Sequence, residues 1–495
     1  DRYDARPAAL VAAMLGIATA MVVVGLSARF RVVFSDTGGS ASAVVGAAMF
    51  ALAVGVRVPH RFAVSICAAA WRRFVSRGTT SQLSGALILP GAADRAIYWL
   101  VLAVIALIAG VSIALLPLSV SVTSAAYEWM MGHFLWSPAP LVVLQTLTVF
   151  TAGLVPLAAL GLSISCAHHL CCRFAQWNAD ATAWVLVGAA VGALLAHRVI
   201  GSVVPADPLL VAASLPALLV SIAAAFLGSS RGKSLAGPVE PVPAALPLWS
   251  DRWPTLLRAS IICVGGASAC AMFVWINHPA QNSGYVGFLP ASLLMATAIG
   301  LLGGVRANRP GLQSIGGFGA AVNIAGVVIA LGVLALPSSN STSGAVFVFA
   351  CGGLAAIGFA TAYGRQTLLI RVASRSSAGA VELGRLLVCA GLTVLVAAPL
   401  AVRLFGPTAA LMMLALSFVA LGGTLVIHEP LDSRRTRRVR VCGLFLSMAA
   451  MLLLSLLTTP RAVAPSGSGL PAEEGVQHSP KGPASQPTEP STNGR

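Results

Sequence analysis

"PLVVLQTLTVFTAGLVPLAALGLS", Pro140 to Ser163, runs through the first half of the chain without one charged residue. As a helix rising 1.5 Å per residue it would reach about 36 Å, enough to cross a hydrocarbon core of about 30 Å. A soluble domain could house it only by burying it on every side, and the rest of the sequence is no more polar. The 495 residues are 57% hydrophobic and 9% charged, with a mean hydropathy of +0.87. Stretches of similar length recur at Ala8–Ala28, Ala41–Val58, Ala96–Leu116, Ala181–Ile200, Pro208–Leu227, Leu256–Asn277, Val286–Gly304, Ile315–Leu336, Gly344–Gly364, Leu386–Val402, Thr408–Ile427 and Val441–Thr458. The expected fold class is an all-α polytopic integral membrane protein with about thirteen transmembrane helices.

A formal net charge of +16 invites a nucleic-acid partner. The placement of the cations argues otherwise. With a cytoplasmic N-terminus and strict alternation, 24 of the 31 Lys and Arg fall on the cytoplasmic side and 7 on the other. That asymmetry is the positive-inside bias of a multi-pass protein. The expected location is the inner (plasma) membrane, with membrane lipids as partners and no nucleic acid. The cysteines sit mostly within or at the inner ends of apolar stretches, as reduced, space-filling thiols.

The stretches fall into two sets of six with one to spare. Residues 1–228 read as an N-terminal six-helix bundle and 256–430 as a second. Between them, 229–255 is a Pro/Gly/Ser-rich cytoplasmic linker. A basic loop and an extra transmembrane helix follow at 431–458, and 459–495 is too poor in bulky apolar residues to fold. Six plus six plus one is a major-facilitator-like layout. In "RFAVSICAAAWRRFVSRG", Trp71 and Phe74 share one helical face while Arg61 and Arg72 lie opposite, a pattern suited to the membrane surface or to packing beneath the bundle. "GAAVG", Gly188 to Gly192, is a close-packing motif.

Four segments also carry a resemblance. "RFRVVFSDTGGSASAVVGAAMFALAVG" (Arg29 to Gly55), "AIYWLVLAVIALIAGVSIALLP", "VFTAGLVPLAALGLS" and "WVLVGAAVGALLAHRVIGSVV" resemble, in order, the membrane half of fused major-facilitator/spermidine-synthase-like bacterial proteins. The resemblance implies a membrane module. Thr182 and Val185 stand where that family would carry Tyr and Asn. The aminopropyltransferase domain of such proteins has no counterpart here, since no Gly-rich loop follows a strand.

Candidate sites are few. "CAHHLCC", Cys166 to Cys172, places His168 and Cys172 four residues apart and His169 and Cys172 three apart, so one helical turn offers two ligands where structural zinc wants four. No metal is expected; these three residues come nearest to a site, against the plainer reading of a helix end lined by histidines. No other cofactor is implied. All fifteen Asp and Glu fall in loops, termini or the ends of spans, which disfavours carboxylate-based proton coupling and polyamine cargo unless Asp180 or Glu382 tilts inward. Arg198 and Arg403 lie at equivalent outer positions of the two sets, suited to an anion or to snorkelling. Gln145, Thr148 and Asn323 are neutral polar groups inside spans, suited to lining a cavity or bonding between helices. No nucleophile, base and orienting group converge, so an enzyme is not expected. Two functions remain: a transporter of a small neutral, amphipathic or anionic solute, or a non-transporting membrane scaffold.

Overall fold

The computed structural model describes residues 6–34, 40–58, 90–133, 138–174, 181–200, 205–230, 252–276, 288–307, 315–334, 343–371 and 378–427, with 441, 445, 448 and 449 beyond them. In the first half these form α1 (Arg6–Val33), α2 (Ser40–Arg57), α3 (Pro90–Ala114), α4 (Leu116–His133), α5 (Pro138–Phe174), α6 (Ala181–Ile200), α7 (Ala206–Ala212) and α8 (Ser214–Ser230). In the second they form α9 (Arg252–Ile276), α10 (Leu289–Ala307), α11 (Ile315–Leu334), α12 (Ser343–Arg371), α13 (Ala378–Leu392), α14 (Ala398–Phe405) and α15 (Pro407–Ile427). All regular structure among the described residues is helical.

By length and composition 9 spans among these helices can cross a membrane, with α7–α8 and α13–α14 each counted as one, or up to 10 if the bent pair α3–α4 is one span, and Ala41–Arg57 and Ala181–His197 are shorter apolar helices. Each apolar stretch read between Ala8 and Ile427 coincides with a described helix. The extra helix at 441–458 lies almost wholly outside the described residues, as do the linker, the tail and the segment holding Arg61, Trp71, Arg72 and Phe74. Large apolar side chains such as Ile108 on α3 and Ile222 and Phe226 on α8 are exposed, as a lipid-facing surface requires.

Prolines explain the irregularities. The 52° bend between α3 and α4 falls at Leu115, two residues before Pro117, which lacks an N–H and crowds the preceding turn. Pro156 lies inside α5 and leaves the carbonyl of Ala152 without its helical donor; the Ser119 hydroxyl of α4 donates to that oxygen at 3.1 Å. Between α13 and α14 the ladder widens to a π turn, Thr393–Ala397, where the Ala398 N–H donates to Thr393 just before Pro399. Gly406, with φ 80°, alone joins α14 to α15, a conformation that favours glycine.

Helix pairing in the first half repeats in the second. In the first, α1 packs on α6, α2 on α5, and α3 on α5 and α8; in the second, α9 packs on α13, α10 on α12, and α11 on α12 and α15. The largest contacts between halves are α6 with α10 and α2 with α13. Taking α1, α2, α3, α5, α6 and α8 to α9, α10, α11, α12, α13 and α15 exchanges these two contacts, so the pattern of helix pairing is pseudo-two-fold. The same seams are narrowed by glycine in both halves. Gly55 and Gly161 lie against the backbone carbonyls of Ala158 and Leu52 between α2 and α5, and Gly300 and Gly358 against those of Ala355 and Thr297 between α10 and α12. In "GAAVG", Gly188 lies against the Ala13 carbonyl, and a β-carbon on Gly192 would sit 2.6 Å from that of Ile17.

Each half has its own apolar core, one around Leu15, Trp99 and Leu160, the other around Trp275, Phe318 and Leu354. Between them lie two thin clusters built mostly of alanine: Ala20, Ala189, Ala193 and Ala291, and Ala183, Leu301, Val305 and Ala362. Short side chains interdigitate little, so this seam resists relative movement of the halves less than a core of Leu and Phe would.

Candidate functional site

One end of the molecule gathers the starts of α1, α6, α9 and α13 and the finishes of α2, α5, α10 and α12. Arg6, Arg57, Arg258, Arg306, Arg365 and Arg385 all belong to it, and it is called the basic end below. Here the halves seal against each other symmetrically. Ala183, at the start of α6, is buried among Leu301, Val305 and Ala362 of the second half. Leu383, at the equivalent start of α13, joins the core of the first. One residue on, Gly384 lets α13 approach Arg57 of α2, whose Cγ would lie 2.8 Å from an added β-carbon.

A polar lock crosses the same seam. The Arg365 guanidinium on α12 donates from Nη1 to Thr182 Oγ1 on α6 at 3.0 Å, and its Nη2 lies 2.9 Å from His168 Nε2 on α5. Arg365 and His168 are 6% and 4% exposed, so the bond between them is shielded from solvent, while that to Thr182 is part-buried. The candidate spans carrying them end at Leu368 and Cys171, which puts each side chain three residues, or about 4.5 Å, inside the end of its span, while the helices run on to Arg371 and Phe174. His169 takes a different environment, its ring stacked on Tyr98 of α3 with centroids 4.6 Å apart.

Beside the lock stands a second charged group. Glu382 on α13 is 7% exposed; its Oε1 lies 3.1 Å from Arg258 Nε on α9 and 3.4 Å from Arg385 Nη1. Its charge is thus neutralised within the second half.

The remaining sequence candidates are scattered. Gln145 and Thr148 are buried on α5, in the half of that helix away from the lock, and Thr148 Oγ1 donates to Leu144. Asn323 sits where α11 meets α15, against Gly422, on the periphery of the second half rather than at the seam. Arg403 is exposed on α14, and the Arg198 and Cys172 side chains lie outside the described residues. Beside Arg198, the His197 ring is 6.4 Å from Phe288. Among the described residues no three His, Cys, Asp or Glu are grouped to hold a metal.

Two features differ from the sequence expectation. α5 runs past Ser163, where the apolar stretch was read to stop, through the histidines to Phe174, so "CAHHL" is the buried last part of a helix, as the plainer reading expects. Likewise α12 does not stop at Gly364. The apolar "TLLI" that follows Arg365 and Gln366 carries the helix on to Arg371, turning a supposed loop arginine into a buried one. Apolar residues on both sides of an arginine were the signal that singled out Arg198; Arg365 shows it less plainly, because Gln366 and Thr367 stand before Leu368, Leu369 and Ile370.

No family model matches the chain, and no curated protein matches it. The geometry alone carries the functional reading, and at the level of class it is plain: this is a polytopic membrane protein.

Proposed function

We propose that the protein is a major-facilitator-like transporter that moves a small neutral, amphipathic or anionic solute by alternating access, and that the described conformation is closed at the basic end. The observation that carries this reading is the pseudo-two-fold exchange of the α6–α10 and α2–α13 contacts, because two equivalent bundles joined along such a seam can rock about it. The alanine-lined seam and the lock at one end support it. Twelve apolar helical elements in chain order, with the bent α3–α4 as one of them, support the two-bundle count. The positive-inside bias supports a cytoplasmic basic end and N-terminus in the inner membrane. Glu382, held by two arginines, is no free anion for a cationic cargo.

A thermal-shift screen of the detergent-purified protein against organic anions, sugars, amino acids, polyamines and anionic lipid tests the proposal. A dose-dependent rise in melting temperature with a soluble solute supports transport and names its chemistry. Stabilisation by anionic lipid alone refutes the solute reading in favour of a membrane scaffold.

A further inference from the structure

The lock contains a chemical constraint that its geometry alone does not announce. A guanidinium has five N–H donors and no acceptor. At 2.9 Å from Arg365 Nη2, His168 Nε2 must therefore be an unprotonated acceptor, with the ring proton on Nδ1. Adding a proton to Nε2 removes the acceptor and sets an imidazolium directly against the guanidinium, at a site too buried for solvent to screen it.

The lock also joins the halves: His168 and Thr182 belong to the first, Arg365 to the second. We propose that His168 is a proton-binding site whose occupancy opens the basic end, so that the proton is the coupling ion of the transport cycle. This rests on the alternating-access reading. It places coupling on an imidazole, where the sequence had offered only loop and helix-end carboxylates.

The neighbouring groups favour His168 over the alternatives. On the elements packed around α5, the titratable or charged groups described at this end are Arg6 on α1, Arg57 on α2, Tyr98 on α3, and Glu382 and Arg385 on α13, with Cys166 and Cys171 on α5 itself and Arg365 and Tyr363 on α12. Glu382 is bound by Arg258 and Arg385 inside the second half, so these ion pairs do not join the halves. His169, the other histidine, stacks on Tyr98 within the first half. The His168–Arg365 bond, by contrast, joins titratable groups across the seam. A proton accordingly binds the parted state in preference to the closed one, and by linkage acid shifts the population toward parting, by up to about tenfold per pH unit for one proton.

The test uses the full chain with its native cysteines replaced and spin labels at Leu10→Cys on α1 and Leu256→Cys on α9, exposed positions near the basic ends of the two pseudo-equivalent helices. Distances are measured between pH 8 and pH 5 in lipid nanodiscs. The expected result is one short-distance population at pH 8 that yields to a longer one on acidification. His168→Gln, which keeps an acceptor oxygen but cannot carry the proton, remains short throughout, and His169→Gln responds as the parent does. A pH response that survives in His168→Gln overturns the proposal. So does a parent insensitive to pH when Arg365→Met lengthens the distance, and in that case alternating access still stands. If neither acid nor Arg365→Met lengthens it, the alternating-access reading falls as well.

Discussion

Replacing Arg365 by Met keeps the length and apolar stem of the side chain and removes the two donors that cross the seam. Each hydrogen bond from a charged group contributes about 1.5–3 kcal/mol, so the two bonds to Thr182 and His168 together hold the closed form by about 3–6 kcal/mol. At about 1.4 kcal/mol per factor of ten, the parted-to-closed ratio in Arg365→Met rises at least about 100-fold. Ala183 is a suitable reporter, being fully buried against Leu301, Val305 and Ala362 when the end is closed. In a background with the nine native cysteines replaced, Ala183→Cys is expected to react slowly with a hydrophilic maleimide, and at least about 100-fold faster once Arg365→Met is added. Gly132→Cys, which faces open space, reacts at the same rate in both backgrounds. An Ala183→Cys rate that stays within a factor of three, in protein that still elutes as a single folded species, would refute the claim that Arg365 holds the halves together.

Three further outcomes follow from the packing. Gly188→Val drives a branched side chain into the Ala13 carbonyl; because backbone cannot yield as a side chain does, the loss should reach or exceed the usual 1–3 kcal/mol of overpacking, read as a lower melting temperature in detergent, while Gly132→Val leaves it unchanged. Ser119→Ala removes the donor that serves the Ala152 carbonyl and should cost about 1 kcal/mol in the parent; in Pro156→Ala, whose restored N–H serves that carbonyl, the same change should cost close to nothing, and additive costs would contradict this account. Glu382→Gln leaves Arg258 and Arg385 facing a neutral amide and should destabilise by about 1–2 kcal/mol, well below the cost at a fully buried pair since the two arginines are 32% and 45% exposed; Arg258→Met in the same chain should recover part of that loss in a chemical-denaturation series.

The helices were legible because lipid imposes one rule on all of them. Every backbone polar group must be satisfied locally, so an apolar run of sufficient length has to be helical wherever it lies in the chain. That rule fixes neither where a helix stops nor which face meets which. Gly364 followed by Arg365 looks like the end of a span, because a cation inside the hydrocarbon core is expensive. Here the cost is met by protein: Thr182 and His168 supply two acceptors from the other half, and that information lies roughly two hundred positions away in sequence. The same holds for "CAHHLCC", whose local spacing suggests metal ligands, while the partner that gives His168 its role comes from α12. The glycines of Gly188 to Gly192 announced close packing by their spacing alone, since the motif is local; which helix they approach, α1, is set by tertiary packing. Polar residues show the limit most clearly. Asn323 and Arg365 are both polar interruptions of apolar helices, yet one lies where α11 meets α15 and the other at the seam between the halves. The difference is set by the position of their helices in the repeat, α11 being a third element and α12 a fourth. Among the described residues the seam and its lock are made by α2, α5, α6, α10, α12 and α13, with Ala20 of α1, and the polar residues most worth mutating are theirs.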